Sequence, residues 1–469
     1  MKSFRNLVSI VAVLLFLSSC EKYTDISPKG KNLLASANDL DLLMNVNYSG
    51  NGFNTLKQSV LINDMYPQVT NVPNLISGNV KSLNYALLTY DETINRADLT
   101  GTDGPYEGLY EIISRVSNIV LTQADNASGD PNLIKQLKAE ALIIRAYLHY
   151  ILVNIYAKAY DPASAATDGG IPYVDDIVLN DVNSKNTVQE VYEKMVADVN
   201  AALELESLPD KPKNNMRVGK AFAFAVKARI LLSMRDYEGA LEASDAGLQY
   251  NNVLEDHRPF LPAGSGGSGL VVARDGLTAP DNLLYAYFGK AWPNTFAPTY
   301  EILNNYYETG NILKDHTPTY DYVYGQILYG LPDIPMFFAF SYQQNAAGMT
   351  TSDLSLVKAE ALIRQGQISE GMDIVNQIRI RRVYPYTPIS ASTEAQAMGL
   401  LQKTNRIEFL FTWRNFVDIK RWNKEGIYTV LTQRTINGTT YTLSPSSPMW
   451  IFPFPQSATN FNPTLQQNY

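Results

Sequence analysis

Apolar residues recur at helical spacing along much of the chain, and the polar residues between them mark where helices start and stop. After Asp103-Gly104-Pro105, the residues Tyr106, Leu109, Tyr110, Ile113, Val116 and Val120 form one apolar stripe and predict a helix. Asp130-Pro131 supplies the capping acid and first-turn proline of another, whose pattern runs through "NLIKQLKAEALIIRAYLHYILVNIYAKAY" to a stop at Asp161-Pro162. At about 1.5 Å per residue that run is roughly 40 Å long. Thr187 and Glu190 have the spacing of a capping box ahead of "VQEVYEKMVADVNAALELE". A further helical run is predicted from Ser392 to about Trp422. Beyond it, "QRTINGTTYTL" reads as a β-hairpin turning on Asn437-Gly438.

One helical string is written more than once. "KAEALI" stands at Lys138–Ile143 and at Lys358–Ile363, with a looser copy, "KARILL", at Lys227–Leu232. Superposing Lys227 on Lys358 pairs Ala228 with Ala359, Leu231 with Leu362 and Ala240 with Gly371. Small residues where two helices cross and Leu or Ile beside them resemble the tetratricopeptide (TPR) helix–turn–helix pattern. The string therefore reads as a recurring helix face rather than a ligand motif. Long loops separate the copies, so the expectation is a helical scaffold carrying insertions, not a regular solenoid. The longest insertion, about 253–342, is rich in Pro, Gly and Tyr. Between Tyr285 and Tyr342 lie ten of the 30 tyrosines, along with Phe288, Trp292 and Phe296. A loop this long and this aromatic points to function rather than disorder.

Charge and cysteine usage narrow the partners. The 469 residues carry a net charge of −8, from 38 basic and 46 acidic side chains, and no polybasic run breaks the balance. That argues against a nucleic-acid partner, whose phosphates demand clustered Lys and Arg. The opening "MKSFRNLVSIVAVLLFLSSC" has a basic start at Lys2 and Arg5, an apolar run from Leu7 to Leu17, then small residues before Cys20. The run is too short to stay in a bilayer and reads as a secretion signal, residues 1–19. Cys20 is the only cysteine and sits where a bacterial lipobox places the lipidated thiol. The expectation is a mature chain starting at Cys20 and held on a membrane by acyl chains.

Catalytic signatures are missing. The three histidines, His149, His257 and His316, are not at metal-ligand spacing, and His149 reads as a core residue. "GSGGSG" at 264–269 fits GxGxxG only formally: it follows no strand and opens no helix. Carboxylates are plentiful, but no pair is singled out by spacing. No catalytic residue, metal or cofactor is assigned. Arg414, Asp418 and Arg421 in "NRIEFLFTWRNFVDIKRW" share a helix face with alternating sign. With Arg406 and Glu408 they form either a buried clamp between two helices or an anion site, and the balanced signs favour the clamp.

Taken in order, these blocks resemble the SusD/RagB family of nutrient-binding outer-membrane lipoproteins. "YEGLYEIISRVSNIVL" (106–121), the "LKAEALIIRAYLHYILVNIYAKAYDP" helix with "GGIPYV" (169–174) and the two helix pairs come first. "NQIRIRR" (376–382), the charged string and "IFPFPQSATNFNPTLQQNY" (451–469) follow. One departure is Thr412-Trp413, where the family commonly has Glu-Gly. The resemblance implies a mainly α, TPR-like right-handed scaffold (about 105–250 and 350–424) and a loop-rich ligand-binding part (about 253–342 with 425–469). Both would lie in a single SusD-like domain over 20–469. It also implies a non-catalytic, surface-facing receptor that captures an oligosaccharide, or in some members a peptide, for a SusC-like TonB-dependent transporter. A surface glycoside hydrolase and a TPR-like protein-binding scaffold are the competing readings. Sugars need flat rings for their C–H faces and polar groups at the rim. The candidate stacking residues are Trp292, Tyr287, Tyr300, Tyr322 and Tyr324, with Asn294 and Asp321 for polar contacts.

Overall fold

The computed structural model describes residues 34–469 apart from 49, 55, 68–69, 178–182, 288–294 and 339–341. It is mainly helical. The N-terminal part holds α1 (Ala37–Leu43), α2 (Leu56–Leu61), α3 (Val72–Ser77) and α4 (Leu83–Thr89), all short. Next come α5 (Gly104–Ile112), α6 (Asn118–Gln123), the long α7 (Pro131–Tyr156) and α8 (Val188–Glu204). The pair α9 (Lys220–Ser233) and α10 (Tyr237–Leu248) precedes the insertion, which carries α11 (Ile312–Asp315) and α12 (Tyr322–Tyr329). A second pair, α13 (Thr351–Arg364) and α14 (Ile368–Arg379), follows, then α15 (Glu394–Glu408), α16 (Trp413–Glu425) and α17 (Gln456–Phe461).

The expected stripe is buried: Leu109, Ile113 and Val120 are fully covered and Tyr106 nearly so. A π-helical turn at Ile113–Ser117 separates α5 from α6. The Thr187–Glu190 capping box forms, with each side chain bonded to the other's backbone N–H. Helix α7 is the spine of the core, buried almost without interruption from Ile143 to Tyr156. It ends five residues before the expected Asp161-Pro162 stop because tertiary contacts claim its last carbonyls. The Lys420 ammonium donates to Asn154 and Ala157 carbonyl oxygens at 2.7 and 2.5 Å, and Asn468 Nδ2 donates to that of Tyr156 at 2.8 Å. A cation at a helix C-terminus is a favourable cap.

The repeat strings fall on packed helices, with α7 against α8, α9 against α10, and α13 against α14; α10 then abuts α13. The run expected from Ser392 to Trp422 is two helices. Phe411 adopts φ 66° between them, so that its ring packs 5.0 Å from Phe296 and 5.9 Å from Phe337. Core packing against the insertion outweighs helix continuity there. Trp413, at the point of departure from the family pattern, fills core space beside Tyr147 and Tyr150.

Strands are few. The strands β1 (Met65–Tyr66), β3 (Thr295–Pro298), β4 (Tyr320–Asp321) and β5 (Met336–Phe338) form one antiparallel sheet in the order β1-β3-β5-β4, tying the insertion to the N-terminal part. The β2 strand (Asn282–Leu284) pairs with β6 (Met349–Thr350). The hairpin of β7 (Thr432–Ile436) and β8 (Thr439–Leu443) turns where expected, with Asn437 and Gly438 both at positive φ.

A candidate ligand cleft beside the insertion

A cleft of about 1120 Å³ opens between the N-terminal part and α5. Its floor is set by two glycines. A Cβ on Gly108 of α5 would lie 2.5 Å from the Cα of Gly52, so the backbones touch only because neither residue has a side chain. Gly104, Pro105, Glu107, Glu111 and Ile112 of α5 form one wall, as helical spacing dictates. The segment from Val46 to Pro67 forms the other, with amides from Asn47, Asn54 and Asn84. Lys57 at its side donates to Asp103 Oδ2 at 3.0 Å, while Asp103 Oδ1 accepts from Tyr156 Oη at 2.6 Å. Leu328 of α12 completes the lining from the insertion.

Helix α12 is short and apolar nearly all round. Asp321 caps its start, accepting from the Tyr324 N–H at 2.9 Å, and Gly330 closes it at φ 65°. Its inner side is Gly325 and Tyr329; a Cβ on Gly325 would strike the Ile334 carbonyl, which is how closely the helix sits on the chain beneath. The remaining large residues have nowhere to go but outward. Val323 and Ile327 are about 70% exposed, and Tyr322 and Tyr324 are more than half exposed. Tyr324 lies one turn before Leu328, on the same helix face beside the cleft. Exposed apolar side chains gathered on one element mark an interaction surface.

The candidate residues divide accordingly. Tyr322 and Tyr324 stand in solvent on α12, and Asp321 is spent on its cap. Half-buried Tyr300 donates its hydroxyl to the Pro332 carbonyl. Tyr287 stacks on Tyr285 with ring centroids 5.4 Å apart, and its N–H bonds the Tyr48 carbonyl, near Asn47 of the cleft. Trp292, Asn294 and Cys20 lie outside the described residues. None of the described candidates lines the cleft itself. The N-terminal wall was missed from sequence, although its glycine- and amide-rich "NVNYSGNGFN" (45–54) is a legible signal of a loop built for polar contact.

The charged string is a buried clamp, wider than expected. Asp418 accepts from Arg229 at 2.8 Å and meets Arg421 at 3.3 Å; Arg229 and Arg414 both meet Asp353; Arg421 grips Glu360 through two 2.7 Å bonds. Burial raises the Asp418 carboxyl, but Arg229 and Arg421 outweigh it and hold the group below its usual range. Arg406 and Glu408 belong to separate pairs, with Asp64 and Arg382. His149 is a core residue, as expected. Its Nδ1 bonds the Arg145 carbonyl at 2.8 Å, Nε2 accepts from the Val174 N–H at 3.1 Å, and the ring stacks on Tyr173 at 3.9 Å. Among the described residues no cluster of His, Cys, Asp and Glu could hold a metal ion, and no helix is long and apolar enough to cross a membrane.

Comparison with known proteins decides the family. Residues 40–232 match a SusD-like model described as starch-binding associating with outer membrane, and residues 341–469 match the SusD family model. The chain belongs to the SusD/RagB family. It is 23% identical to SusD-like protein P2 of Formosa agariphila, over 66% of this chain and 70% of that protein. In structure it resembles a SusD superfamily protein from Bacteroides thetaiotaomicron, with TM-score 0.70 and 17% identity over 93% of this chain and all of the other. A putative sugar binding protein from Bacteroides vulgatus follows, with TM-score 0.66 and 15% identity, covering 93% and 99% of the two chains. These likenesses carry the fold; the SusD/RagB scaffold here is the helix pairs around α7, and the cleft lies where the insertion meets the N-terminal part.

Proposed function

We propose that this SusD/RagB protein is a non-catalytic surface receptor, held on the outer membrane through lipid on Cys20. In this reading it captures an oligosaccharide and delivers it to a SusC-like TonB-dependent transporter. The observation that carries the proposal is the open cleft bordered by α12, a helix that holds two tyrosines and three aliphatic side chains out of the core. Keeping such side chains in water forgoes roughly 1.5–3 kcal/mol each, which a bound cargo recovers in part. The amides of Asn47, Asn54 and Asn84 supply polar contacts, and the matched family and the Bacteroides vulgatus protein are named for starch and sugar binding. Trp292 and Asn294 remain proposed contacts alongside Tyr322 and Tyr324, with Tyr287, Tyr300 and Asp321 in supporting positions.

A peptide cargo is the second reading, and the lining itself favours it. Val46, Leu56, Val60, Met65, Ile112 and Leu328 are aliphatic or thioether groups, and Phe53 contributes the one aromatic ring among the described residues of the lining. Calorimetric titration of the mature protein against neutral oligosaccharides and short peptides separates the two. Tyr324→Ala and Leu328→Glu are expected to weaken the bound class about tenfold. Unchanged affinity in both variants removes the cleft from the account, and turnover of a bound oligosaccharide removes the receptor reading.

A further inference from the structure

Helix α5 has a second working face. Tyr106 and Tyr110 of α5, with Ser114 of the π-helical turn that follows it, look away from the cleft into a separate pocket of about 470 Å³ whose far side is built from residues 457–465. Glu107 borders both spaces. At the end of α17 the pocket carries Phe461, 69% exposed and the only exposed phenylalanine among the described residues. Its other walls are fixed. Tyr110 donates its hydroxyl to the Pro172 carbonyl at 2.7 Å, Asn462 Nδ2 donates to the Asn183 carbonyl at 2.9 Å, and Ser457 Oγ donates to Glu107 Oε1 at 2.7 Å. A preformed hollow of this size, an available flat ring and a rim that carries Asn183 and the Glu107 carboxylate are the parts a sugar ring needs.

We propose that this pocket is a second saccharide subsite. It takes one pyranose unit, the C–H face on Phe461 and the hydroxyls toward Asn183 and Glu107. The ligand class rests on the glycan reading above; the pocket does not. A helix is about 10 Å thick with its side chains, so a single oligosaccharide of several units reaches from the cleft over Glu107 into the pocket. The second contact is then intramolecular, and affinity climbs with chain length.

Crystals of the mature protein soaked separately in methyl α-glucoside, methyl β-galactoside and methyl α-mannoside test it. At least one glycoside is expected against Phe461, with its affinity in solution followed by NMR titration. Phe461→Ala should lower that affinity about tenfold, near the upper end of what one stacked ring supplies, and Phe461→Trp should keep it. Phe461 is too exposed for either change to threaten the fold. An empty pocket in all three soaks overturns the proposal, as does a pocket that takes indole but no glycoside. Leu328→Glu, in the cleft, should leave the pocket's glycoside in place. A parent protein that fills the pocket but binds nothing in the cleft sinks the cleft reading alone, and the reverse sinks only the subsite.

Discussion

His149 shows how a single side chain sets a condition on the whole fold. It is fully buried, both ring nitrogens are engaged, and burial pushes its pKa down from 6.5 to about 3. A proton on Nε2 would face the Val174 N–H and leave two donors opposed. Above pH 6.5 the ring is neutral whether the chain is folded or not, and its contribution to stability is fully present. As pH falls from 6.5 toward 3, the unfolded chain takes up a proton that the folded one refuses, so stability is lost by up to about 1.4 kcal/mol per pH unit. The His149→Gln variant should be less stable than the parent at pH 7.5, and the gap should narrow steadily between pH 6.5 and 5. Urea unfolding across that range measures it; a gap that stays constant would mean that the folded chain protonates the imidazole as readily as the unfolded one. Lys420 is the complementary case. Burial pushes its pKa well down, yet its amine is placed on the open carbonyls of α7, the environment that best tolerates a cation.

At the scale of elements, the repeated hexapeptide carries more than packing. The third position of each copy, Glu140, Arg229 and Glu360, is a buried charge, and each is paired to a distant element. Glu140 accepts from Arg217 at 2.6 and 2.9 Å, Arg229 joins Asp353 to Asp418, and Glu360 receives Arg421 and the Trp422 indole N–H. Glu140→Ala leaves Arg217 with Asp41 on Nη1 but strips the partners from its Nε and Nη2, and should cost roughly 3 kcal/mol, whereas the double change Glu140→Leu with Arg217→Met should recover much of that, since Lys213 still holds Asp41. Chemical denaturation decides it, and a single variant within about 0.5 kcal/mol of the parent would show the pair to be ornamental. The same positions explain what sequence could and could not reveal. Caps, the hairpin turn and the apolar stripes were legible because each depends on neighbours within a few residues. The partners of Glu140 and Glu360 were not, because they lie 77 and 61 residues away. Arg434 was hidden for a different reason: alternation along β7 puts it in an inward slot where an apolar residue is expected, and there it donates to Tyr90 Oη and to the Val60 and Leu61 carbonyls. The break at Phe411 likewise answers to rings from the insertion, which no local pattern contains.

For the molecule as a whole, the decisive arrangement is how the N-terminal part and the insertion meet around α5. The four-stranded sheet fastens β1 to three strands of the insertion, Arg406 reaches back to Asp64, and Arg434 clasps the end of α2. These ties hold the outer wall of the cleft from behind, while its inner face meets α5 at the Gly52–Gly108 contact, with the Lys57–Asp103 ion pair beside it. The cleft's width is therefore set by the absence of two side chains, and the core beneath is held by other contacts. Gly108→Val should push the 51–53 turn away from α5, since its Cβ would lie 2.5 Å from the Gly52 Cα and no flexible group can yield. The cost should fall on ligand affinity and, because Phe53 of the turn is buried, to a lesser degree on stability, since the α7 core lies behind α5. Gly399→Ala is the matching control: nothing lies within 4 Å of the new Cβ, and replacing glycine within a helix should raise stability by up to about 1 kcal/mol without touching binding. Calorimetry with whichever oligosaccharide or peptide binds the parent, together with a melting curve for each variant, separates the outcomes. Loss of affinity in Gly108→Val with a melting point near that of the parent supports a cleft gauged by this contact, and full affinity there would mean that the cargo is gripped elsewhere.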